Sequence, residues 1–291
     1  MKKHAYLIMA HGDWSLLSKL LLALDDPRND IYVHIDRKSA FSPEMVYEPR
    51  FARIQYIKRI SVTWGGDSLI KCELALLKAA INGNYFYYHL ISGQDLPIKS
   101  QDEIYDFFEK NSGKNYVKID KKALLAGYPQ ERIREYHFFQ NLVGRKDGHI
   151  AGLLYRLKGI TITLQKKLGI DRLRNCPKKI YKGTNWFSIT HEMAGIVLSE
   201  ERFIRKYCFW GFCADEIFLQ TIAMNCCISS TCVDDDLRFI DWVRGNPYTF
   251  TMADFESLMN SDCLFARKFS DQFDPKITQI IVDKIREGDI H

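Results

Sequence analysis

YFYYHLISGQDLPIKS, residues 85–100, is the stretch that decides the fold. A continuous aromatic and β-branched run leads into turn residues between Ser92 and Pro97, and this pattern predicts a buried central strand that ends abruptly. Ligands of open α/β sheets bind just beyond the carboxyl ends of such strands, so Asp95 is a candidate ligand contact. An Asx-turn with a solvated carboxylate explains this stretch alone equally well.

The first hundred residues alternate between strand and helix patterns. Strands are predicted at 4–11, 30–36 and 54–57, and helices at 14–24 and 69–81, where apolar residues recur at helical spacing. This order predicts an α/β fold with a mostly parallel central sheet and right-handed crossovers. The dinucleotide fingerprint Gly-x-Gly-x-x-Gly does not follow the first strand.

The alternation fails between about 121 and 182 and then resumes. Later strands are predicted at 116–120 and 182–189, with helices at 103–110, 150–168, after Thr190, and at 214–224. Residues 156–182 carry nine Lys or Arg residues against Asp171 alone. Because no repeat or linker is visible, residues 1–291 are predicted to form a single domain with a basic, less regular insertion at about 121–182.

Composition excludes several classes of protein. A hydrophobic content of 46% supports a large core, and a formal net charge of +5 is too weak to indicate nucleic-acid binding. The sequence shows neither a secretory signal nor a long apolar run, so a cytoplasmic location is expected. The eight cysteines include no Cys-x-x-Cys pair, so buried thiols are expected rather than a zinc ribbon.

Two polar residues, His11 and Asp36, end the first two predicted strands. The Asp36 carboxylate can accept a hydrogen bond from a ribose hydroxyl or a base N–H, and a turn cap is the alternative interpretation. A single histidine such as His11 is more often a satisfied hydrogen-bonding residue than a ligand. Both residues are candidates for nucleotide contacts.

Asp215 and Glu216 follow a run of small residues and begin a predicted helix. Acids in a first helical turn are favoured by the helix dipole, which is the simplest explanation for the pair. The aromatic neighbours Phe209, Trp210 and Phe212 would instead desolvate Glu216 and raise its pKa toward that of a general base. Glu216 is therefore the candidate catalytic base.

The sequence offers two possible sources of positive charge for a diphosphate. One is a metal ion at the Asp-x-Asp pattern of residues 234–236, which has suitable oxygen ligands but lies where a surface turn is expected. The other is the set Arg244, Arg267 and Lys268, whose Trp, Phe and Leu neighbours indicate partly buried cations. A solvated basic face is the alternative for these three. The sequence thus favours cations over a metal.

Taken together, the motifs resemble the branching β-1,6-N-acetylglucosaminyltransferase family, which also includes the peptide O-xylosyltransferases. The similarity covers most of the chain and rests on several short motifs in order. These are AYLI with Ala10-His11, IYVHID at 31–36, WGG at 64–66, SGQDLPIK at 92–99, GTNWF at 183–187, Asp215-Glu216, DWVRG at 241–245 and LFARKF at 264–269.

The resemblance implies a GT-A-like fold and an inverting, metal-independent transfer from a UDP-sugar, with no other cofactor. It implies roles for single residues. Glu216 would be the catalytic base, Lys268, Arg244 and Arg267 nucleotide-sugar contacts around the diphosphate, His11 and Asp36 uridine-side residues, Asp95 a sugar contact, and Glu131, Arg134, Tyr136 and Trp186 acceptor-side residues. The expected sugar is GlcNAc, with xylose as the alternative.

The partners follow from the same resemblance and from the basic segment. They are a UDP-sugar donor, a glycan or lipid-linked glycan acceptor, and, through residues 156–182, peripheral contact with anionic lipid at the inner face of the membrane. A solvated basic face is the alternative for that segment. Animal members of the family are membrane-anchored and lumenal. Because this sequence shows neither an anchor nor a secretory signal, a bacterial, cytoplasmic member is expected. A non-catalytic glycan- or membrane-binding protein of the same fold is the alternative from a different functional class.

Overall fold

The computed structural model describes residues 2–125, 128–145 and 148–288; residues 126–127 and 146–147 of the predicted insertion lie outside this part. The strands are β1 (His4–Ala10), β2 (Asn29–Ile35), β3 (Arg53–Tyr56), β4 (Tyr87–Ser92), β5 (Asp95–Pro97), β6 (Asn115–Val117), β7 (Phe187–Thr190), β8 (Cys232–Val233), β9 (Arg238–Ile240) and β10 (Phe265–Arg267). The helices are α1 (Trp14–Ala23), α2 (Asp67–Ala80), α3 (Gln101–Lys110), α4 (Lys121–Leu125), α5 (Tyr128–Arg134), α6 (Gln140–Val143), α7 (His149–Lys167), α8 (His191–Ser199), α9 (Glu201–Phe203), α10 (Phe218–Asn225), α11 (Phe255–Met259) and α12 (Pro275–Glu287).

The central sheet in the described residues has seven strands in the order β3-β2-β1-β4-β7-β6-β8. The pairs β3–β2, β2–β1, β1–β4 and β6–β8 are parallel, and β7 runs antiparallel to both β4 and β6. This arrangement confirms the predicted α/β class with a mostly parallel sheet, and it is consistent with a GT-A-like fold.

Strand β4 lies at the centre of this sheet, as its sequence predicts. All six of its residues are buried, because it pairs with β1 on one side and β7 on the other. Alternate residues point to opposite faces of a strand, so Tyr88 and Leu90 join the core beneath α2, α8 and α10. Tyr87 and Ile91 join the core beneath α1, α3 and α12.

The turn predicted after β4 is partly wrong. Residues Asp95–Pro97 form β5, which pairs antiparallel with β10, and β10 pairs parallel with β9. The sequence suggests a turn because three residues ending in a proline carry no strand pattern of their own. This three-stranded sheet brings the C-terminal part of the chain to the carboxyl end of β4.

Element boundaries elsewhere differ in ways that affect the site. Residues 214–224 do not form one helix, since Ala214–Glu216 is a 3₁₀ turn and α10 begins at Phe218. Glu216 therefore stands before α10 and not in its first turn. The helix predicted after Thr190 is confirmed as α8, and Thr190 caps it, because its hydroxyl accepts from the Met193 amide at 3.3 Å. Cys72, Cys208 and Cys213 are buried free thiols as expected, whereas Cys227 is exposed.

Helices α4 to α7 occupy the described part of segment 121–182. Helix α7 confirms the helix predicted at 150–168. Of its 19 residues only Ala151 and Gln165 are buried. None of the helices in the described ranges combines the length and the apolar character that a bilayer crossing requires.

Candidate active site

The carboxyl ends of β1, β2 and β4 meet at one edge of the central sheet. His11 follows β1, Asp36 follows β2, and Ser92 is the last residue of β4. The Asp36 amide donates to the Ala10 carbonyl at 2.9 Å, so the backbone holds the ends of β1 and β2 together. Residues from separate β–α units are thereby collected where open α/β sheets bind ligands.

A cleft of about 520 Å³ opens at this edge, and its wall includes His11, Trp14, Ser39 and Asp271. The Ser39 hydroxyl donates to the His11 carbonyl at 2.6 Å, which fixes the turn after β1 against the turn after β2. Aromatic, hydroxyl and carboxylate groups face the cleft together, and such a lining suits a nucleoside.

Asp36 lies close to His11 and is 7% exposed. Its carboxylate accepts from the Lys38 amide at 2.9 Å and lies 3.4 Å from the Lys38 ammonium. The pKa of His11 is lowered by burial, a shift that Asp36 opposes and that the charges of Arg267 and Lys268 reinforce. The imidazole is therefore neutral near pH 7. The charges of Asp36, Arg267 and Lys268 all lie close enough to His11 to affect its pKa.

Asp95 is fully buried and pairs with Arg267. Its carboxylate accepts from the Ser92 amide at 2.7 Å, the Ser92 hydroxyl at 2.9 Å and the Arg267 guanidinium at 2.7 Å. The register of β5 and β10 places Arg267 directly opposite Asp95. Asp95 therefore positions Arg267, and the predicted direct contact with a sugar is not supported, because the side chain has no exposed surface.

Lys268 follows Arg267 and is partly buried. No described carboxylate forms an ion pair with its ammonium, whose pKa is lowered by burial and by the nearby charges of Arg267 and Arg145. Arg145 comes from the loop before α7 and stacks on the Trp64 ring at 3.8 Å. Three cations therefore converge on one place, and among the described residues a carboxylate pairs with Arg267 but with neither Lys268 nor Arg145. This arrangement favours an anionic ligand.

Arg244 does not join this cluster in the way the sequence predicts. Its guanidinium lies 2.5 Å from the Asp241 carboxylate and 2.7 Å from the Asp254 carboxylate, and it stacks on the Tyr248 ring at 4.0 Å. Two acids offset its charge, and their partnership raises its pKa. The arginines whose charges lower the pKa of Lys268 are Arg267 and Arg145, and Arg244 is not among them.

Glu216 stands between two cations. Its Oε2 atom accepts from Arg132 at 2.7 Å and lies 3.4 Å from the Lys182 ammonium, while no described residue donates to Oε1. The side chain is 33% exposed. The predicted aromatic, desolvated surroundings are therefore wrong: Phe212 packs instead against His137 and Trp64. One carboxylate oxygen is therefore anchored, and the other has no hydrogen-bond donor in the part of the chain that the structure describes.

Two further acids, Asp215 and Glu73, are buried behind Glu216. Burial and the charge of Glu216 raise the pKa of Asp215 to about 7. Burial and the charge of Asp215 raise the pKa of Glu73 well above its usual range. Among the described residues, neither Asp215 Oδ1 nor either oxygen of Glu73 has a hydrogen-bond partner. Of these three acids, Glu216 is the one that forms ion pairs with cations in the described part of the chain.

The predicted acceptor residues lie in two places. Glu131 and Arg134 are exposed on α5, and Arg134 lies 3.8 Å from the Asp171 carboxylate. Tyr136 follows α5 and is half-buried. Trp186 is instead buried beneath Arg267, whose guanidinium carbon lies 4.9 Å from the centre of the Trp186 ring. Trp186 thus belongs with the donor-side cations.

The carboxylates of residues 234–236 all have protein partners. Asp234 pairs with Lys118 and Lys121, Asp235 accepts from the Leu237 amide, and the Thr184 hydroxyl donates to Asp236. Within the described residues, no group of three or more His, Cys, Asp or Glu side chains is placed to hold a metal ion. Metal independence stays a prediction.

Sequence reasoning missed Arg132, Lys182 and Arg145. Arg132 lies between two residues that were predicted as acceptor contacts, and Lys182 immediately precedes the GTNWF motif. For Arg132 and Lys182, the available signal was that each is a cation next to a segment already predicted to belong to the site. Arg145 carried no such signal, because its position depends on how the loop before α7 packs on Trp64.

The sequence profile of the Core-2/I-branching enzyme family matches residues 4–261 of the chain. The chain is 24% identical to beta-glucuronosyltransferase GlcAT14B of Arabidopsis thaliana, over 91% of this chain and 62% of that protein. It is 23% identical to xylosyltransferase 2 of Mus musculus and 24% identical to xylosyltransferase oxt of Drosophila melanogaster. These alignments cover 95% and 92% of this chain but only 33% and 31% of the relatives.

The chain thus spans less than two thirds of the glucuronosyltransferase and about a third of each xylosyltransferase. The profile match runs from the first residue of β1 to beyond α11, and so includes the sheet edge, Glu216 and Arg244. It confirms the family that the sequence motifs predict. The chain belongs to the Core-2/I-branching enzyme family.

Proposed function

We propose that the chain is an inverting, metal-independent glycosyltransferase that moves a sugar from a UDP-sugar to a hydroxyl of a glycan acceptor. The observation that carries the proposal is that the site contains one carboxylate and one ammonium whose bonding partners are incomplete. Glu216 has one oxygen without a hydrogen-bond donor, and Lys268 has no counter-charge within the described part of the chain. Both groups would be used in a reaction that removes a proton from an acceptor hydroxyl and releases a nucleoside diphosphate. Glu216 would accept the proton, and Lys268 would bind the diphosphate.

The donor would lie along the sheet edge. Its uridine would occupy the cleft beside His11 and Asp36, where ring, hydroxyl and carboxylate groups are available. Its diphosphate would lie against Lys268 and Arg267, the cations whose charges also act on His11. Fixed cations of this kind stabilise the negative charge that develops on the leaving group, which is the role a metal ion has in other transferases.

The acceptor would approach from the side of α5. Oε1 of Glu216 would take the proton of the acceptor hydroxyl as its oxygen attacks the anomeric carbon. The new carbon–oxygen bond forms on the face opposite the breaking bond to the diphosphate, so the configuration inverts and UDP leaves with the bonding electrons. Arg132 and Lys182 would hold Oε2 so that Oε1 keeps its direction.

The transferred sugar is open between three candidates. GlcNAc follows from the motif resemblance, whereas the relatives are named for xylosyl and glucuronosyl transfer. A xylosyltransferase is therefore the second candidate function. For the acceptor we propose a glycan or a lipid-linked glycan, contacted by Glu131, Arg134 and Tyr136, at the inner face of the membrane.

The test is release of UDP from UDP-GlcNAc, UDP-xylose and UDP-glucuronate, each with a panel of glycan acceptors and with excess EDTA. We expect turnover of one donor that depends on acceptor and persists in EDTA. Loss of turnover in EDTA with rescue by Mn²⁺ would overturn metal independence. Binding of UDP without turnover of any donor would instead establish the non-catalytic alternative.

A further inference from the structure

Helix α7 carries an exposed apolar stripe on its outer side. Its members recur at intervals of three and four residues, so they lie along one side of the helix, and their exposed fractions range from 37% to 79%. The stripe consists of Ile150, Leu153, Leu157, Ile160 and Leu164. Contiguous exposed apolar surface of this kind marks an interaction site more often than scattered apolar residues do.

The opposite side of α7 packs firmly against the protein. Gln165 accepts from the Tyr136 amide at 2.8 Å and donates to the Tyr136 carbonyl at 3.0 Å. Lys158 donates to Gln140 at 2.6 Å and lies over the Phe212 ring at 4.3 Å. These contacts fix the rotation of the helix about its axis, so the stripe is held facing outward.

Basic residues border the stripe. Arg156, Lys166 and Lys167 are exposed, and none of them forms an ion pair with another described residue. The sequence of α7, HIAGLLYRLKGITITLQKK, contains no acid. At 100° per residue, Arg156 and Lys167 lie next to the stripe on the side away from the protein. An apolar side rimmed by cations is the pattern of a helix that lies in a membrane interface.

We propose that α7 docks on the surface of an anionic lipid bilayer, with the stripe at the boundary between headgroups and acyl chains. The charges favour this occupant over a second copy of the chain. Pairing two stripes would bring two sets of cations together, and α7 offers no acid to neutralise Arg156 across such an interface. Anionic headgroups provide the missing negative charge.

The docking would place the acceptor side at the membrane. Lys158 joins α7 to Phe212, in the loop just before the 3₁₀ turn that holds Glu216. A lipid-linked acceptor in the same bilayer would then reach Glu216 without leaving the interface. This consequence rests on the proposed function, whereas the docking itself rests on α7 alone.

The test is co-sedimentation of the full chain with vesicles of phosphatidylcholine, with and without phosphatidylglycerol. We expect binding to the anionic vesicles that weakens with salt. The double variant Leu153→Glu, Ile160→Glu should bind at least tenfold more weakly, because each side chain loses most of its apolar burial. Met45→Glu with Phe51→Glu is the matched control, since these residues are comparably exposed elsewhere and should not change binding.

A second arm tests the cations. Replacing Arg156 and Lys167 by Gln should weaken binding to anionic vesicles by about fivefold for each residue removed. Light scattering in the absence of lipid reports the oligomeric state. A dimer that the stripe variants dissociate, without vesicle binding by the parent protein, would overturn the proposal in favour of a second copy.

Equal loss of binding in the stripe and control variants would also overturn the proposal. UDP release from the donor during transfer to a soluble acceptor, measured on the same variants, separates the docking from the chemistry. We expect it to be unchanged. If no donor is turned over but the stripe variants alone lose vesicle binding, the docking stands and the proposed function fails.

Discussion

Asp95 and Arg134 show how differently the donor side and the acceptor side of this molecule are built. Asp95 is fully buried, accepts from Ser92 twice, and faces Arg267 through strand register. Arg134 is exposed on a seven-residue helix, and its Asp171 partner lies 3.8 Å away. On the donor side the backbone positions the charged groups, whereas on the acceptor side single side-chain contacts do.

The difference shows which parts of the site tolerate change. Donor residues lie where the sheet ends, so their positions can change only with strand pairing. Acceptor residues depend on contacts such as that of Gln165 with the Tyr136 backbone, which a few substitutions could rearrange. Binding residues on segments outside the sheet can vary while a rigid scaffold stays the same.

Glu216 stands where the two sides meet, and its replacement should have the largest effect. Glu216→Gln keeps the shape but removes the proton acceptor, so kcat should fall by roughly 10²–10⁴ while UDP affinity stays nearly unchanged. UDP release and calorimetric titration with UDP measure the two quantities. Glu192→Gln, on an exposed part of α8, is the control. Near-normal kcat for Glu216→Gln would remove the residue from the base role.

The donor side could be predicted from sequence because its elements have strong local patterns. The buried runs of β1, β2 and β4 predict strands, and their ends locate His11 and Asp36 at one edge. The pairing of β5 with β10 could not be predicted in the same way. Three residues carry too little pattern, and the register joins parts of the chain far apart in sequence.

The acceptor side was less predictable for a related reason. The pattern of α7 predicts a helix, but no local pattern shows which side of it packs on Gln140 and Tyr136. The position of Arg145, which stacks on Trp64 from the loop before α7, depends on that packing. The aromatic residues near Glu216 in the sequence suggested a desolvated acid. In the fold, however, Phe212 packs against Trp64 and Trp210 against Phe138, while Glu216 pairs with Arg132.

The comparison can be tested by making the same change on both sides. Asp95→Asn leaves the Arg267 charge without its buried partner, and removing one member of a buried pair costs about 3–5 kcal/mol. Asp171→Asn weakens only an exposed pair and should lower the free energy of unfolding by less than about 1 kcal/mol. Urea denaturation measures both. Similar costs for the two variants would show that strand register does not set the donor side apart.

Asp215, which lies beside Glu216 where the two sides meet, should make the free energy of unfolding depend on pH. The folded state binds its proton up to about pH 7, whereas the unfolded chain loses it near pH 4. This residue therefore lowers the free energy of unfolding as pH rises through that window, by about 2–4 kcal/mol in all. Asp215→Asn removes this pH-dependent contribution. The free energy of unfolding of the variant, relative to that of the parent protein, should therefore increase between pH 4 and 7. A difference that stays constant across urea titrations in this range would contradict the assignment.

The smallest of these effects separates two cations that sequence alone treats alike. Lys268→Ala removes an ammonium that no described carboxylate neutralises, so the Kd for UDP should rise roughly 10- to 100-fold, as expected for a lost hydrogen bond to a charged group. Arg244→Ala removes a charge that Asp241 and Asp254 already offset, and its Kd should change by less than about threefold. Calorimetric titration with UDP compares the two variants. Equal losses would mean that the loop at 241–247 moves on binding and delivers Arg244 to the diphosphate. The donor side would then depend, as the acceptor side does, on a segment outside the sheet.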